Sequence, residues 1–201
     1  MIVAFILLIV AFVVLYRSLA TLQSGTTKTA KVTNPPKQDT LQRAEELFAT
    51  KNYTEAESLY VEALQHDHKN VLIYQRLATI YRALGKTSDM VDSIEIMTKL
   101  APTPDHYHQL GVVLYENRNY IKAISAFQKS LMMEASARGY VALGRSFQKI
   151  ANVTKAVKAY ERAVEMEVNR HTLMALAEGY KLARQPAKAQ EVLERLKNLD
   201  A

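Results

Sequence analysis

The pattern of apolar and polar positions changes along this chain. Residues 1–16 read MIVAFILLIVAFVVLY, with no charged or strongly polar side chain. From about residue 37, apolar residues instead recur three or four positions apart, as on one face of an amphipathic helix. The stretch between them is rich in Ser, Thr, Gly and Lys, and Pro35 and Pro36 disfavour helix there. The pattern therefore predicts an apolar segment at 1–22, a flexible basic linker at 23–37 and a helical domain at 38–201.

Within the helical domain, one phrase recurs every 33 or 34 residues. Its copies are Tyr74-x-x-Leu77-Ala78-x-x-Tyr81, Tyr107-x-x-Leu110-Gly111, Tyr140-x-x-Leu143-Gly144-x-x-Phe147 and Leu176-Ala177-x-x-Tyr180. A fixed period of this size predicts stacked helical hairpins, because one hairpin cannot bury its apolar face alone. The predicted units are about 37–70, 71–103, 104–136, 137–169 and 170–201.

Small residues occupy one position of each unit, where we expect the two helices of a hairpin to cross. They are Ala44, Ala78, Gly111, Gly144 and Ala177. A larger side chain there would push the two backbones apart, whereas the large residues Tyr60, Phe127 and Tyr160 fill the neighbouring grooves.

These phrases resemble the tetratricopeptide repeat family over about 165 residues. The resemblance implies an all-α, right-handed α-solenoid of about five hairpins, with the first helices lining a concave groove that binds a protein or peptide. It also implies which positions face that groove: Gln75, Thr79, Arg82, His108, Val112, Tyr115, Arg145, Gln148, Lys149, Met174 and Lys181. The cations in this set favour an acidic partner, although ordinary solvated helix faces would carry the same residues.

The apolar segment at 1–22 has three interpretations. A retained transmembrane helix needs Arg17 to extend toward the interface, because sixteen residues span only ~24 Å of a ~30 Å hydrocarbon layer. A cleaved signal peptide fits Ser18-x-Ala20, but no cation precedes the apolar run. A buried core helix is the third. The first predicts a single transmembrane helix before the solenoid, and a single-pass membrane protein.

The charge distribution also differs between the N-terminal segments and the repeat region. The formal net charge is +6, and residues 1–37 hold Arg17, Lys28, Lys31 and Lys37 without any Asp or Glu. The positive-inside rule then predicts that the repeats lie in the cytoplasm. The repeat region is close to neutral, which argues against a nucleic-acid partner. Cysteine is absent, so the chain has no disulfide, thiolate metal site or cysteine nucleophile.

No arrangement of residues indicates catalysis. Neither His66-x-His68 nor His106-x-His108 predicts a metal site, because residues two apart on a helix point away from each other. We expect no enzyme activity, cofactor or small-molecule substrate. The predicted function is a membrane-anchored scaffold that recruits partner proteins through its groove. The alternative is a secreted or periplasmic repeat protein of an envelope or pilus assembly machine, formed after signal-peptide cleavage.

Overall fold

The computed structural model describes residues 37–199, and the regular structure in this range is helical throughout. Its helices are α1 (Lys37–Ala49), α2 (Tyr53–His66), α3 (Val71–Ala83), α4 (Thr87–Leu100), α5 (Pro104–Glu116), α6 (Tyr120–Met133), α7 (Ala137–Lys149), α8 (Val153–Met166), α9 (Arg170–Leu182) and α10 (Pro186–Leu199). Odd-numbered helices have 13 residues and even-numbered helices have 14.

The helices pair in chain order into five hairpins, and each hairpin packs on the next. Each odd helix lies against the even helix that follows it, and the even helix contacts the next odd one. Helix α7 also touches both α5 and α9, so the first helices of the third, fourth and fifth hairpins are neighbours. Residues 37–199 contain no β-strand. The predicted all-α stack of hairpins is therefore confirmed over this range.

All five hairpins turn in the same way. Each turn contains one residue with φ between 57° and 69°, and these residues are Lys51, Gly85, Arg118, Ala151 and Arg184. The next residue donates its N–H to the carbonyl five positions earlier, as Asn119 does to Leu114 at 2.8 Å and Gln185 does to Tyr180 at 2.9 Å. This hydrogen bond belongs to the Schellman motif. Only one of the five turns uses glycine, so the repeat maintains this geometry with other side chains.

Polar caps mark where the odd helices begin. The side chains of Asn70, Thr103, Ser136 and Asn169 each accept a hydrogen bond from a backbone N–H in the first turn of α3, α5, α7 and α9. Asn169 also completes a capping box with Thr172. Such caps satisfy N–H groups that have no partner inside a helix.

The apolar core forms two clusters, one made mainly of residues from the first two hairpins and one of residues from the last three. Tyr60, Phe127 and Tyr160 lie within them and are fully buried. The small residues opposite these rings allow a very close approach. A Cβ atom added to Gly111 would lie 2.6 Å from the Phe127 ring, and one added to Gly144 would lie 2.4 Å from the Tyr160 ring.

The predicted location in a membrane is wrong. Within residues 37–199, no helix is long and apolar enough to cross a bilayer. Crossing needs about 20 mostly apolar residues, whereas these helices are shorter and keep one polar face. The anchor predicted at 1–22 and the linker predicted at 23–37 lie outside the described residues, except that Lys37 begins α1.

Candidate partner-binding groove

Three depressions follow one another along the odd-numbered helices, and we call them together the groove. They share one repeat position, which carries Thr79, Val112, Arg145 and Glu178 at intervals of 33 residues. Arg145 lines both the second and the third depression. A run of equivalent positions on neighbouring helices is the surface that a stack of hairpins presents to an extended ligand.

The first depression has a lining of mixed polarity and a volume of about 300 Å³. It brings together three residues that the sequence predicted for the groove, namely Gln75, Thr79 and Arg82 of α3. Gln109 of α5 also lines it, whereas the repeat pattern predicts its neighbour His108, and the remaining lining is apolar: Ala78, Ile94 and Met97.

The second depression is smaller, about 220 Å³, and mainly apolar. Val112 and Tyr115 of α5 face Arg145 of α7 across it, and all three were predicted. Glu116, Phe127 and Ala142 also line it. The sequence analysis assigned Phe127 to the core, where it is indeed buried, and it did not identify Glu116.

The third depression is basic and has a volume of about 400 Å³. The predicted residues Arg145, Met174 and Lys181 line it. Residues that the sequence analysis missed are Arg170, His171, Glu178, Leu193 and Leu196. Glu178 was detectable in principle, because it holds the same repeat position as Arg145.

Gln148 joins the groove to the core. Its side-chain oxygen accepts a hydrogen bond from the Tyr160 hydroxyl at 2.8 Å, and its side-chain nitrogen donates to Glu178 at 2.9 Å. Burial raises the pKa of Tyr160, Glu178 raises it further and Arg145 opposes the shift. The Tyr160 hydroxyl therefore stays protonated and keeps donating to Gln148. Glu178, a carboxylate of the third depression, is held in this hydrogen-bond network.

A similar cluster lies in the first hairpin, and the sequence analysis did not find it. The Tyr60 hydroxyl donates to Glu45 at 2.8 Å. The Arg76 guanidinium binds both oxygens of the Glu45 carboxylate at 3.1 and 3.0 Å and stacks on the Phe48 ring. In the first hairpin, Glu45 occupies the groove-lining repeat position that Thr79 occupies in the second hairpin. The groove position is thus acidic and already ion-paired in the first hairpin, and basic in the fourth.

Three predicted groove residues line none of the three depressions: Gln148, Lys149 and His108. Lys149 is exposed at the end of α7. His108 is buried, with its ring centroid 5.3 Å from that of Phe127. It borders a separate depression of about 140 Å³ between the third and fourth hairpins.

The environment of His108 predicts a pH-dependent stability. Burial lowers the pKa of His108 below 6.5, Arg138 lowers it further and Asp105 opposes the shift. Glu134 is the other charged residue that borders the same depression. Below pH 6.5 the unfolded chain binds more protons at this residue than the folded chain does, so acid destabilises the fold.

We therefore expect the free energy of unfolding to fall between about pH 7 and pH 5, and to fall less in a His108→Gln variant. Urea unfolding followed by circular dichroism at several pH values measures this difference. His171→Gln, which replaces an exposed histidine, is the control and should keep the wild-type slope. Equal slopes in the wild type and the His108 variant would contradict the assignment.

Comparison with known proteins first defines the class of repeat. Residues 105–136 and 137–167 match the family model described as Tetratricopeptide repeat. The chain therefore contains tetratricopeptide repeats, in the third and fourth hairpins. Repeats of this family typically serve as scaffolds for protein interaction. No curated protein sequence matches the chain.

Solved structures extend the likeness to most of the chain. A crystal structure of MamA matches with a TM-score of 0.73 at 18% identity, covering 82% of this chain and 91% of that one. MamA residues 41 to the end, from Desulfovibrio magneticus RS-1, match with a TM-score of 0.69 at 17% identity, covering 82% and 94%. YrrB, described as a TPR protein with an unusual peptide-binding site, matches with a TM-score of 0.67 at 16% identity, covering 80% and 84%. Identities this low establish the fold alone, which is a tetratricopeptide-like solenoid.

Proposed function

We propose that this chain is a non-catalytic scaffold that binds a segment of a partner protein in the groove. The observation that carries this proposal is the order of the three depressions, which are of mixed polarity, then mainly apolar, then basic. The peptide-binding site described for YrrB, a protein of similar fold, supports the same kind of ligand. We also propose that residues 37–201 form five repeat units with the boundaries predicted from the sequence.

The second depression suits one apolar side chain of the partner. It is lined by Val112, Tyr115, Phe127 and Ala142, and Glu116 and Arg145 also border it. Its volume of about 220 Å³ is of the order of a large side chain, and burying such a side chain contributes about 1.5–3 kcal/mol. The Tyr115 ring packs edge-on against Tyr120 at 5.4 Å, which holds one wall in place. A preformed wall reduces the entropy lost when the partner binds.

The third depression suits acidic residues of the same segment. Arg145 and Lys181 line it and are exposed, and Arg170 borders it as well. Glu178, the carboxylate on its lining, accepts a hydrogen bond from Gln148. We propose a partner segment with one large apolar residue followed or preceded by carboxylates. Opposite charges in such a site favour rapid association and exclude basic competitors.

Charge reversal tests this proposal. We expect Arg145→Glu combined with Lys181→Glu to weaken binding of an acidic, apolar-anchored peptide by about tenfold or more, because each new carboxylate repels those of the ligand. The peptides would come from a random library selected on the full chain, and their affinities from fluorescence anisotropy.

The control is Lys122→Glu combined with Lys129→Glu, two exposed residues of α6 that lie outside the groove. It changes the net charge equally and should leave the affinity intact. If the selected peptides show no enrichment in Asp or Glu, or bind both double variants alike, the acidic-ligand proposal is wrong. If no peptide is selected, or none competes at the groove, the scaffold proposal itself fails.

A further inference from the structure

A second basic cavity lies outside the groove, where α8 meets the turn between α9 and α10. We call it the turn cavity. Its volume is about 420 Å³. It is lined by Val153, Thr154, Val157, Lys158, Glu161, Tyr180, Leu182, Ala183, Arg184, Gln185 and Lys188. None of these residues borders the three depressions of the groove.

Cations dominate this cavity. Lys158, Arg184 and Lys188 are all exposed, and none forms an ion pair within the described residues. Lys188 lies over the Tyr180 ring, 5.4 Å from its centroid, which leaves its charge available to a ligand.

Glu161 supplies the carboxylate of the cavity. One of its oxygens accepts a hydrogen bond from the Tyr180 hydroxyl at 2.7 Å. Burial and this hydrogen bond raise the pKa of Tyr180 to about 12, so the hydroxyl remains a donor at neutral pH. Three cations against one hydrogen-bonded carboxylate leave the cavity with a net positive charge.

The repeat itself does not need Lys158 or Arg184. The preceding junction, between the third and fourth hairpins, carries Ser125 and Ala151 at these positions, 33 residues earlier, and keeps a lysine, Lys155, at the position of Lys188. Ala151 and Arg184 adopt the same left-handed backbone, each with φ of 57°. A side chain as small as alanine therefore supports this turn, and the charge of Arg184 has no part in forming it.

Two earlier junctions between hairpins contain a carboxylate at this edge. Between the first and second hairpins, Lys86 donates to Glu57 at 2.6 Å. Between the second and third, Asp92 takes the position of Lys158; burial raises the pKa of Asp92, and the nearby Lys122 opposes that shift. Among the four junctions of the described residues, the last one concentrates cations at this edge.

We propose that the turn cavity binds a carboxylate-rich segment of a protein partner, independently of the groove. A protein segment fits because the three cations lie on an exposed edge, where carboxylates on neighbouring residues can reach them together. Exposed ion pairs are individually weak and weaken further with salt, so this contact is modest alone. It gains effect when the same partner also occupies the groove, because the second contact is then intramolecular.

The probe for the test is a fluorescein-labelled peptide of alternating Glu and Gly, compared with the same peptide carrying Gln. With the full chain, we expect the Glu peptide to shift the backbone amide resonances of Thr154, Lys158, Arg184 and Lys188, and the Gln peptide to shift none of them. We expect Lys158→Ser combined with Arg184→Ala to weaken binding at least about threefold at low salt. Both new residues already occupy the equivalent positions at the preceding junction between hairpins, so the variant should fold.

The matched control is Arg118→Ala combined with Lys122→Ser. Arg118 holds the same turn position as Arg184, with φ of 58°, and the control removes the same net charge. Resonance shifts confined to groove residues, equal weakening by both double variants, or binding of the Gln peptide at the cavity would each overturn the proposal. Charge reversal at Arg145 and Lys181 should leave the resonance shifts of the turn cavity unchanged, so this test is separate from that of the groove. If the double variant does not fold, Lys158→Gln alone gives the same comparison.

Discussion

Replacing Tyr160 with alanine is expected to lower the free energy of unfolding by about 3–5 kcal/mol, the usual cost of removing a buried aromatic side chain. The ring is about 1% exposed. It lies between two helices of different hairpins, since Cβ atoms placed on Gly144 and Gly179 would lie 2.4 and 2.7 Å from it. Alanine at residue 160 would leave a cavity at the junction of the fourth and fifth hairpins, where glycine has no side chain to fill it.

Urea unfolding of the full chain, followed by circular dichroism, measures this loss. Hydrogen exchange should show its position, because each hairpin of a solenoid is stabilised by its neighbours. Amides of α7 and α9 should exchange faster, and those of α3 should change least. The control is Tyr160→Phe, which keeps the ring and removes only the hydrogen bond to Gln148. Its expected cost is about 1 kcal/mol. A loss of similar size in both variants would show that the ring is not what joins the hairpins.

Replacing Gly144 with valine is expected to lower the free energy of unfolding by about 3 kcal/mol. The cause here is overpacking rather than a cavity. Any Cβ atom at this position overlaps the Tyr160 ring, and the ring cannot move away because Gly179 lies against its other side. The helices α7 and α8 must then separate. The same urea titration measures the loss, and a cost below about 1 kcal/mol would show that the hairpin tolerates a wider crossing.

The fifth hairpin shows which smaller residue facing this position would tolerate a side chain there. It carries Ala177 at the position of Gly144 and Leu193 at the position of Tyr160. In a Tyr160→Leu background, Gly144→Ala should therefore be neutral or stabilising, because alanine favours helix over glycine by about 1 kcal/mol. In the wild-type background the same change should be destabilising. If its sign is the same in both backgrounds, the ring contact does not explain the glycine.

Much of the fold was predictable from periodicity. The interval of 33 or 34 residues predicted the hairpins, and the small residues predicted where their helices cross. Gly85 marks one turn in the sequence, and Asn52, Asn119 and Asn152 mark three others, but no signal shows that Lys51, Arg118, Ala151 and Arg184 themselves adopt the left-handed backbone. Their conformation follows from the packing of two helices of nearly constant length, which forces each connection into the same hydrogen-bonded turn.

The candidate site was predictable only in part. Repeat positions identified Gln75, Thr79, Arg82, Val112 and Arg145, because the side chains of one helix face follow the helical period. The same rule named His108, which is buried against Phe127. The rule could not distinguish the buried His108 from the residues that line the groove, because exposure at a groove position depends on the size of the side chains on the next helix.

The amino-acid sequence by itself determined the helical repeat, its period and the small-to-large pairing inside each hairpin, because these depend on residues close together along the chain. Only the tertiary structure decided which charges remain available. Arg76 is neutralised by Glu45 from the previous hairpin, and Glu178 is held by Gln148, whereas Lys158 and Arg184 meet no carboxylate that pairs with them in residues 37–199. The partners in such pairs are about 30 residues apart, and they come together only when one hairpin packs on the next.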